Sequence, residues 1–286
     1  MIEALDAHHH FWDPSKGDYS WMTDHHQPIR KVFAPQDLEP ALAANGVNGT
    51  ILVQTWSSLD ETVAFLELAT QTAFVLGVVG WVDLTSPDVG AQLDQLLAGV
   101  GGKYLVSIRH QVHDEPDANW LCRTDVRHGL AQVVKRGLSY DLLLRPREIP
   151  AALETVAAFP DLRFVIDHIA KPEIAQNGFV PWANAMAGFA AHRDHVWCKL
   201  SGMTTEAAWE SSDDTQFTPY IDEVLNIFGP ERCMYGSDWP VCNLAGGYRR
   251  SLSIVRDALR NLPLDQQTAI LRGNAAQAYQ LRHSAP

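Results

Sequence analysis

The feature that most restricts this chain is an alternation, repeated eight times, of a short apolar run with a segment of helical period. The runs fall at residues 4–12, 50–54, 74–81, 104–109, 138–143, 162–167, 196–200 and 233–236. Rich in Val, Ile and Leu and mostly too short for helices, they read as strands buried on both faces. Helical segments follow at 35–45, 58–73, 88–98, 125–136, 149–159, 182–192 and 217–228, and 248–262 and 264–281 close the chain. In the first of these Leu38, Ala41 and Leu42 share a face, Pro35 opens the segment and Asn45-Gly46 stops it. Ser58, with Glu61 three residues later, reads as a capping box. Alternating strands and helices imply a parallel sheet covered by helices, and eight units in 286 residues favour a closed α/β barrel, the (β/α)8 TIM barrel, over an open doubly wound sheet. No linker or composition shift divides residues 1–286, so a single domain is expected.

Composition removes several function classes. The formal charge of −12 argues against a nucleic-acid partner, because phosphate binding needs clustered Lys and Arg. Cys122, Cys198, Cys233 and Cys242 form no CxxC pair, which disfavours a disulfide framework or structural zinc and fits a reducing cytosol. Cys198 sits in an apolar run and is expected in the core. No run approaches the roughly 18 apolar residues that span a bilayer. The start of the chain is charged early, at Glu3 and Asp6, and has no apolar signal segment. The expectation is a cytoplasmic protein with no membrane partner. No phosphate loop is present, since Gly99-Val100-Gly101-Gly102-Lys103 has the wrong spacing and precedes a strand. Gly236-Ser237-Asp238 is not a serine-esterase elbow.

A barrel of this kind works at the C-terminal ends of its strands. The first strand ends in His8-His9-His10. Strict alternation places Asp6, His8 and His10 on one side and Leu5, Ala7 and His9 on the other, which makes His9 an outward neighbour. The later strand ends bring Gln54 and Trp56, Trp81 and Asp83, and Arg109-His110-Gln111 with His113 beyond. They also bring Asp141 and Arg145, Asp167-His168 and Lys171, Lys199 and Ser201, and Ser237-Asp238-Trp239. Any one of these is as well explained as a satisfied polar residue. The set is not, because His8, His10, His168 and Asp238 converge on one mouth as metal ligands or proton carriers. Arg109 follows Ser107 at period two and should face inward, either toward substrate or as an ion-pair partner of Asp83 or Asp141. The loop at 13–34 is too long for a plain connector and reads as a binding loop.

Four stretches together carry a family resemblance: His8-His9-His10-Phe11-Trp12-Asp13-Pro14, Asp167-His168-Ile169-Ala170-Lys171-Pro172, Lys199-Leu200-Ser201-Gly202 and Tyr235-Gly236-Ser237-Asp238-Trp239-Pro240. They resemble the amidohydrolase superfamily, and within it the branch of sugar-lactone hydrolases acting on L-fuconolactone or L-rhamnonolactone. The resemblance runs from the first strand to Gly273-Asn274-Ala275. It implies a (β/α)8 barrel with His8, His10 and Asp238 at the catalytic centre and His168 as the histidine of the sixth strand. Binuclear members of the superfamily carry a carboxylated lysine at the end of strand four, where this chain has Arg109 and His110. They also carry a strand-five histidine, and none occurs from Gly137 to Asp161. The resemblance therefore implies either one divalent metal, zinc, on His8, His10 and Asp238, or no metal.

Lactone hydrolysis needs a water nucleophile, a base for its proton and donors for the developing oxyanion. Asp238 is the expected base and proton return, with His8 and His10 positioning water and His168 or Arg109 polarising the carbonyl. An alcohol leaves more readily than an amine, so one metal or none suffices for a lactone. Arg109, His110 and Gln54 are the expected polar contacts to the small-molecule lactone. Trp21, Trp56, Trp81 and Trp239 could offer flat surfaces to a sugar ring. Two alternatives stay open: a metal-dependent decarboxylase of the same superfamily, and a non-catalytic barrel that binds a sugar acid.

Overall fold

Each apolar run becomes a strand, and the strands pair in chain order: β1 (Ala4–His9), β2 (Val47–Val53), β3 (Val75–Gly80), β4 (Leu105–His110), β5 (Ser139–Leu142), β6 (Phe164–Ile166), β7 (Val196–Leu200) and β8 (Cys233–Tyr235). The computed structural model describes residues 2–17 and 19–281. All seven neighbouring pairs are parallel, forming one eight-stranded sheet. The barrel closes between β1 and the end of β8: Asp238 N–H donates to the His8 carbonyl at 2.8 Å, and His10 N–H to the Trp239 carbonyl at 2.7 Å. The arrangement is the expected (β/α)8 barrel.

The helices that cover it are α1 (Pro35–Asn45), α2 (Leu59–Gln71), α3 (Val89–Ala98), α4 (Thr124–Lys135), α5 (Ile149–Ala158), α6 (Phe179–Met186), the short α7 (Met203–Glu206), α8 (Thr218–Phe228) and α9 (Gly247–Ala258). Among the described residues no helix is long and apolar enough to cross a membrane. Cys198 is buried in the core and the cysteines are free.

Three local expectations are corrected. Ser58 accepts from the Glu61 backbone N–H at 3.2 Å, but the Glu61 carboxylate does not return to Ser58. It holds the backbone N–H of Thr55 at 2.8 Å and of Trp56 at 3.3 Å instead, so the box is half made. The helix expected over 264–281 runs as α10 (Leu264–Thr268), a π-helical segment (Ala269–Gly273) and α11 (Asn274–Ala278). Asn274 anchors the break by donating to the carbonyls of Pro230 and Cys233, both at 2.7 Å. The helix expected over 182–192 starts earlier, as α6, and tightens to a 3-10 turn over Ala187–His192. There Gly188 lies so close to α5 that a Cβ would stand 2.6 Å from the Leu153 side chain.

Two apolar layers hold the barrel. Leu5, Ala7, Val53, Val79, Val165 and Trp197 fill its interior toward the N-terminal end, where Tyr279 also packs. The larger layer lies between strands and helices. Buried apolar area of this kind is the main stabilising term in folding.

Candidate active site

The first strand does not keep strict alternation. Asp6 pairs with Thr50 and His9 with Leu52, so three steps on β1 face two on β2. This bulge inserts one residue and re-aims the side chains beyond it, as bulges beside active sites do. Leu5 and Ala7 point into the barrel, while Asp6 points out, its carboxylate accepting from Tyr248 OH on α9 at 3.0 Å and from Ser237 N–H at 2.8 Å. Past the bulge His8 and His10 both reach the mouth, and His9 turns to the Thr50 hydroxyl at 2.9 Å. Asp6 therefore does not share a face with His8 and His10, whereas His9 is outside as expected.

Asp238 sits at the centre of the mouth. Its backbone is in the left-handed region at φ 58°, fixed by the bond to His8 O, and its side chain is nearly enclosed. One carboxylate oxygen, Oδ1, lies 3.4 Å from His10 Nε2, 3.8 Å from His168 Nε2 and 3.9 Å from His8 Nε2. Burial raises its pKa, but His168, His10 and Lys171 outweigh that and hold the carboxyl below its usual range. It is an ionised acceptor at neutral pH. His10 Nδ1 donates to the Val53 carbonyl at 2.8 Å, so a neutral ring presents its Nε2 lone pair to the mouth. His168 is oriented by the Ser201 hydroxyl, 2.9 Å from its Nδ1, and burial pushes its pKa down to about 4.

His168 opens a rare piece of backbone. His168, Ile169, Ala170 and Lys171 all have positive φ, between 47° and 58°. Four non-glycine residues in the left-handed region cost about 1–2 kcal/mol each. Bonds from Trp182 Nε1 to the Ile169 carbonyl at 2.7 Å and from Lys171 N–H to the His168 carbonyl at 2.8 Å hold the turn. Gly202 lies against it, where a Cβ would stand 2.6 Å from His168 Nδ1.

Below the histidines lies a buried ion network. Lys199, fully enclosed, places Nζ 2.6 Å from Asp141 Oδ2, 2.8 Å from Asp167 Oδ1 and 3.2 Å from His8 Nδ1. Ser107 and Tyr279 hydroxyls donate to Asp141 at 2.6 and 2.7 Å. Arg109 does face inward, but its partner is neither Asp83 nor Asp141: Nη1 donates to Asp167 Oδ2 at 2.9 Å, and Nη2 to the Gln54 carbonyl. Burial opposes ionisation of Asp167, yet Lys199, His8 and Arg109 keep its carboxyl well below the usual range. Burial also drives His8 well below its ordinary pKa, so its ring is neutral.

These groups open into a cavity of about 340 Å³ lined by His10, Arg109, His168, Lys171 and Asp238 and walled by Trp21. The other residues expected here are spread out. Trp56 and His110 line a neighbouring cavity of about 640 Å³. Trp81 does not line the mouth cavity and donates its indole N–H to His110 Nδ1 at 3.0 Å. Trp239 is buried against Phe11 and Phe33. Gln54 lies behind Arg109, donating to its carbonyl at 3.2 Å. The cavity also takes His26, Thr205, Glu206 and Trp209 from loops and from the short α7, residues that no strand-end survey finds. The excess length of the loop at 13–34 was a sequence signal for His26 alone; Thr205, Glu206 and Trp209 had none.

The nitrogens of His8 and His10 and one oxygen of Asp238 could hold a divalent metal. Their separations of 3.1, 3.4 and 3.9 Å bracket the edge of about 3.3 Å expected for tetrahedral zinc. The Val53 carbonyl fixes the His10 ring as an outer partner of a metal-bound histidine would. The donor set fits one metal.

The chain matches the amidohydrolase family model over residues 5–281. It is 37% identical over 285 residues to an L-fucono-1,5-lactonase of Burkholderia ambifaria, covering 98% of this chain and 97% of that one. It is 35% identical over 292 residues to an L-fucono-1,5-lactonase of Burkholderia multivorans, at 98% and 97% coverage. Among solved structures, an amidohydrolase from Burkholderia multivorans superposes with a TM-score of 0.92 at 33% identity, covering 98% of this chain and 99% of that one; it has been solved with bound HEPES and with bound zinc. With the barrel, the histidine pair of the first strand and the aspartate of the last all in place, this chain belongs to the amidohydrolase family.

Proposed function

We propose that this protein hydrolyses a sugar-acid lactone of the L-fucono-1,5-lactone type to the free acid, with Asp238 as general base. The observation that carries the proposal is the carboxylate of Asp238, kept ionised among His8, His10 and His168 at the floor of a cavity wide enough for one sugar ring. Full-length similarity to two lactonases supports the same substrate class.

In this reading water sits between Asp238 and the histidines and attacks the lactone carbonyl as Asp238 takes its proton. Arg109 and His168, both at the cavity wall, polarise the carbonyl oxygen and stabilise the charge that develops on it. When the tetrahedral adduct collapses, the bond to the ring oxygen breaks, and protonated Asp238 returns its proton to that oxygen. The products are an alcohol and a carboxylate on one open chain, with one proton released to solvent. His8, His10 and Asp238 would hold a zinc ion, whose contribution when bound is a more acidic water.

The test is a proton-release assay on L-fucono-1,5-lactone, with and without a chelator. Turnover that disappears in Asp238→Asn supports the reading, and full activity in that variant would falsify it. Carbon dioxide released from a hydroxybenzoate would favour the decarboxylase alternative instead.

A further inference from the structure

The wall of the cavity facing Asp238 is built differently from its floor. On the floor every cation is matched: Arg109 is held by Asp167, and Lys171 at the rim by Glu206 at 2.5 Å. Across the mouth, on the loops after β4 and β5, stand His113, Asp114 and Arg145, all lining the same cavity. In an eight-stranded barrel paired in chain order, β5 lies opposite β1. Arg145 therefore faces the strand that supplies His8 and His10.

Hydrogen-bonding capacity on this wall is left unused. Among the described residues the Arg145 guanidinium has no hydrogen bond or ion-pair partner; only its backbone is engaged, its N–H by the Glu148 carboxylate and its carbonyl by the Glu148 N–H. Nδ1 of His113 is buried and unpartnered, while its Nε2 lies 3.3 Å from Asp114 Oδ1. Burial together with the nearby Lys171, Arg145 and Arg109 pushes the His113 pKa far down, so the ring is neutral and can accept as well as donate. A native protein seldom leaves a buried polar atom unsatisfied without a reason. Here a donor fork, a carboxylate and a neutral imidazole are gathered within one cavity wall. A hydroxyl group, which both donates and accepts, matches such a set better than an anion, which Asp114 would repel. It also matches better than an alkyl group, which would leave the Arg145 guanidinium and His113 Nδ1 unpaired.

We propose that His113, Asp114 and Arg145 form a subsite for the hydroxyl groups of the substrate remote from its reacting carbonyl, making the site selective for polyhydroxylated lactones. The inference rests on the lactonase reading of the mouth and adds the specificity element to it. A ring spanning the cavity would set its carbonyl at Asp238 and His168 and its distal hydroxyls at Arg145 and Asp114. Sites built to hydrogen-bond a hydroxyl reject analogues lacking it strongly, because their own polar groups are then left unpaired.

The experiment compares L-fucono-1,5-lactone with δ-valerolactone, the same six-membered ring without hydroxyls, in wild type, Arg145→Met and His113→Phe. Arg145→Met alters a solvent-exposed side chain with no partner, so its fold is safe, and His113→Phe tests the buried member of the wall. The expected result is a fall of about tenfold or more in the ratio of kcat/KM for the two lactones, arising from KM of the hydroxylated one. A purely structural role would lower both substrates together and leave the ratio unmoved, which overturns the proposal. Calorimetric titration with L-fuconate, the open-chain acid, reads the subsite without turnover. Weaker binding by about tenfold in Arg145→Met supports the subsite even if neither lactone is hydrolysed, in which case it is the lactonase reading that falls. Unchanged L-fuconate affinity in both variants overturns the subsite.

Discussion

Nε2 of His10 stands 3.4 Å from Oδ1 of Asp238, while the N–H on the far side of the ring is held by the Val53 carbonyl. Two lone-pair acceptors thus face each other across the mouth when the ring is neutral. Something positive or proton-bearing must lie between them, and a water, a proton or a divalent metal would each meet that need. The proposed base is therefore defined as much by Val53 as by its own carboxylate.

Replacing Asp238 by Asn removes the proposed base and retains the shape. The expected loss in kcat is about 10²–10⁴-fold, the usual range for a positioned base, with little change in thermal midpoint. Initial-rate kinetics and a thermal melt of the same sample check both halves.

Acid should impair this enzyme late. With Asp238 as the proposed base, activity needs it ionised; its carboxyl is held below the ordinary 3.8, so the acidic limb of the rate profile should lie below about pH 4. The sign is that of a depressed acid: the ionised form persists above that value and is lost as pH falls through the folded pKa. A limb near pH 6 in kcat against pH would refute Asp238 as the group responsible.

Glu61 gives the opposite slope in stability. Burial raises its pKa from 4.5 to about 7, against the bonds from Thr55 and Trp56. A raised acid stabilises the fold below its unfolded pKa, and that contribution is lost as pH rises from about 4.5 through 7, amounting to at most about 3 kcal/mol. Urea denaturation at pH 5 and pH 8 should show this decline in wild type and a flatter line in Glu61→Gln.

Lys199→Met leaves Asp141 and Asp167 enclosed without their shared cation. Breaking a buried pair from one side costs about 3–5 kcal/mol. Tyr279→Phe, which removes one donor to Asp141, should cost only about 1 kcal/mol. Denaturant midpoints of the two variants measured side by side give the comparison.

A bound metal would be held loosely. The Arg109 guanidinium lies 3.4 Å from His8 Nε2, and the Lys199 ammonium 3.2 Å from His8 Nδ1. Asp141 and Asp167 offset both charges, but Arg109 Nη1 stands beside the same His8 nitrogen a metal would use and competes for its lone pair. Zinc-loaded protein should carry about one equivalent by emission spectroscopy. Dialysis against a chelator should remove it, and His10→Ala should fail to take it up.

The barrel was legible because strand and helix periods are local, and the eight strand ends named His8, His10, His168 and Asp238 without knowledge of their neighbours. The bulge in β1 was not legible, since it depends on how Asp6 and His9 register against Thr50 and Leu52 on another strand. The partner of Arg109 was missed for the same reason: inward direction follows from period two, but Asp167 reaches it only once the ring of strands has formed. Trp239 and Trp81 looked like sugar platforms because they follow strands. Packing against Phe33 claims the first, and a hydrogen bond to His110 the second. His26 lies on a short 3-10 segment and Trp209 on a loop, where no pattern announces which side chain will turn inward.

The two backbone hydrogen bonds that join the first strand to the end of the last also fix the positions of His8, His10 and Asp238. Proposed catalytic centre and seam are one structure. This contact links residues more than two hundred positions apart, and such pairings form late in folding because a long loop must first be closed. A chain with seven strands assembled and the seam still open would have most of its core and no site at all. Hydrolytic activity in a refolding experiment would then report the final closure itself, lagging behind the recovery of helix.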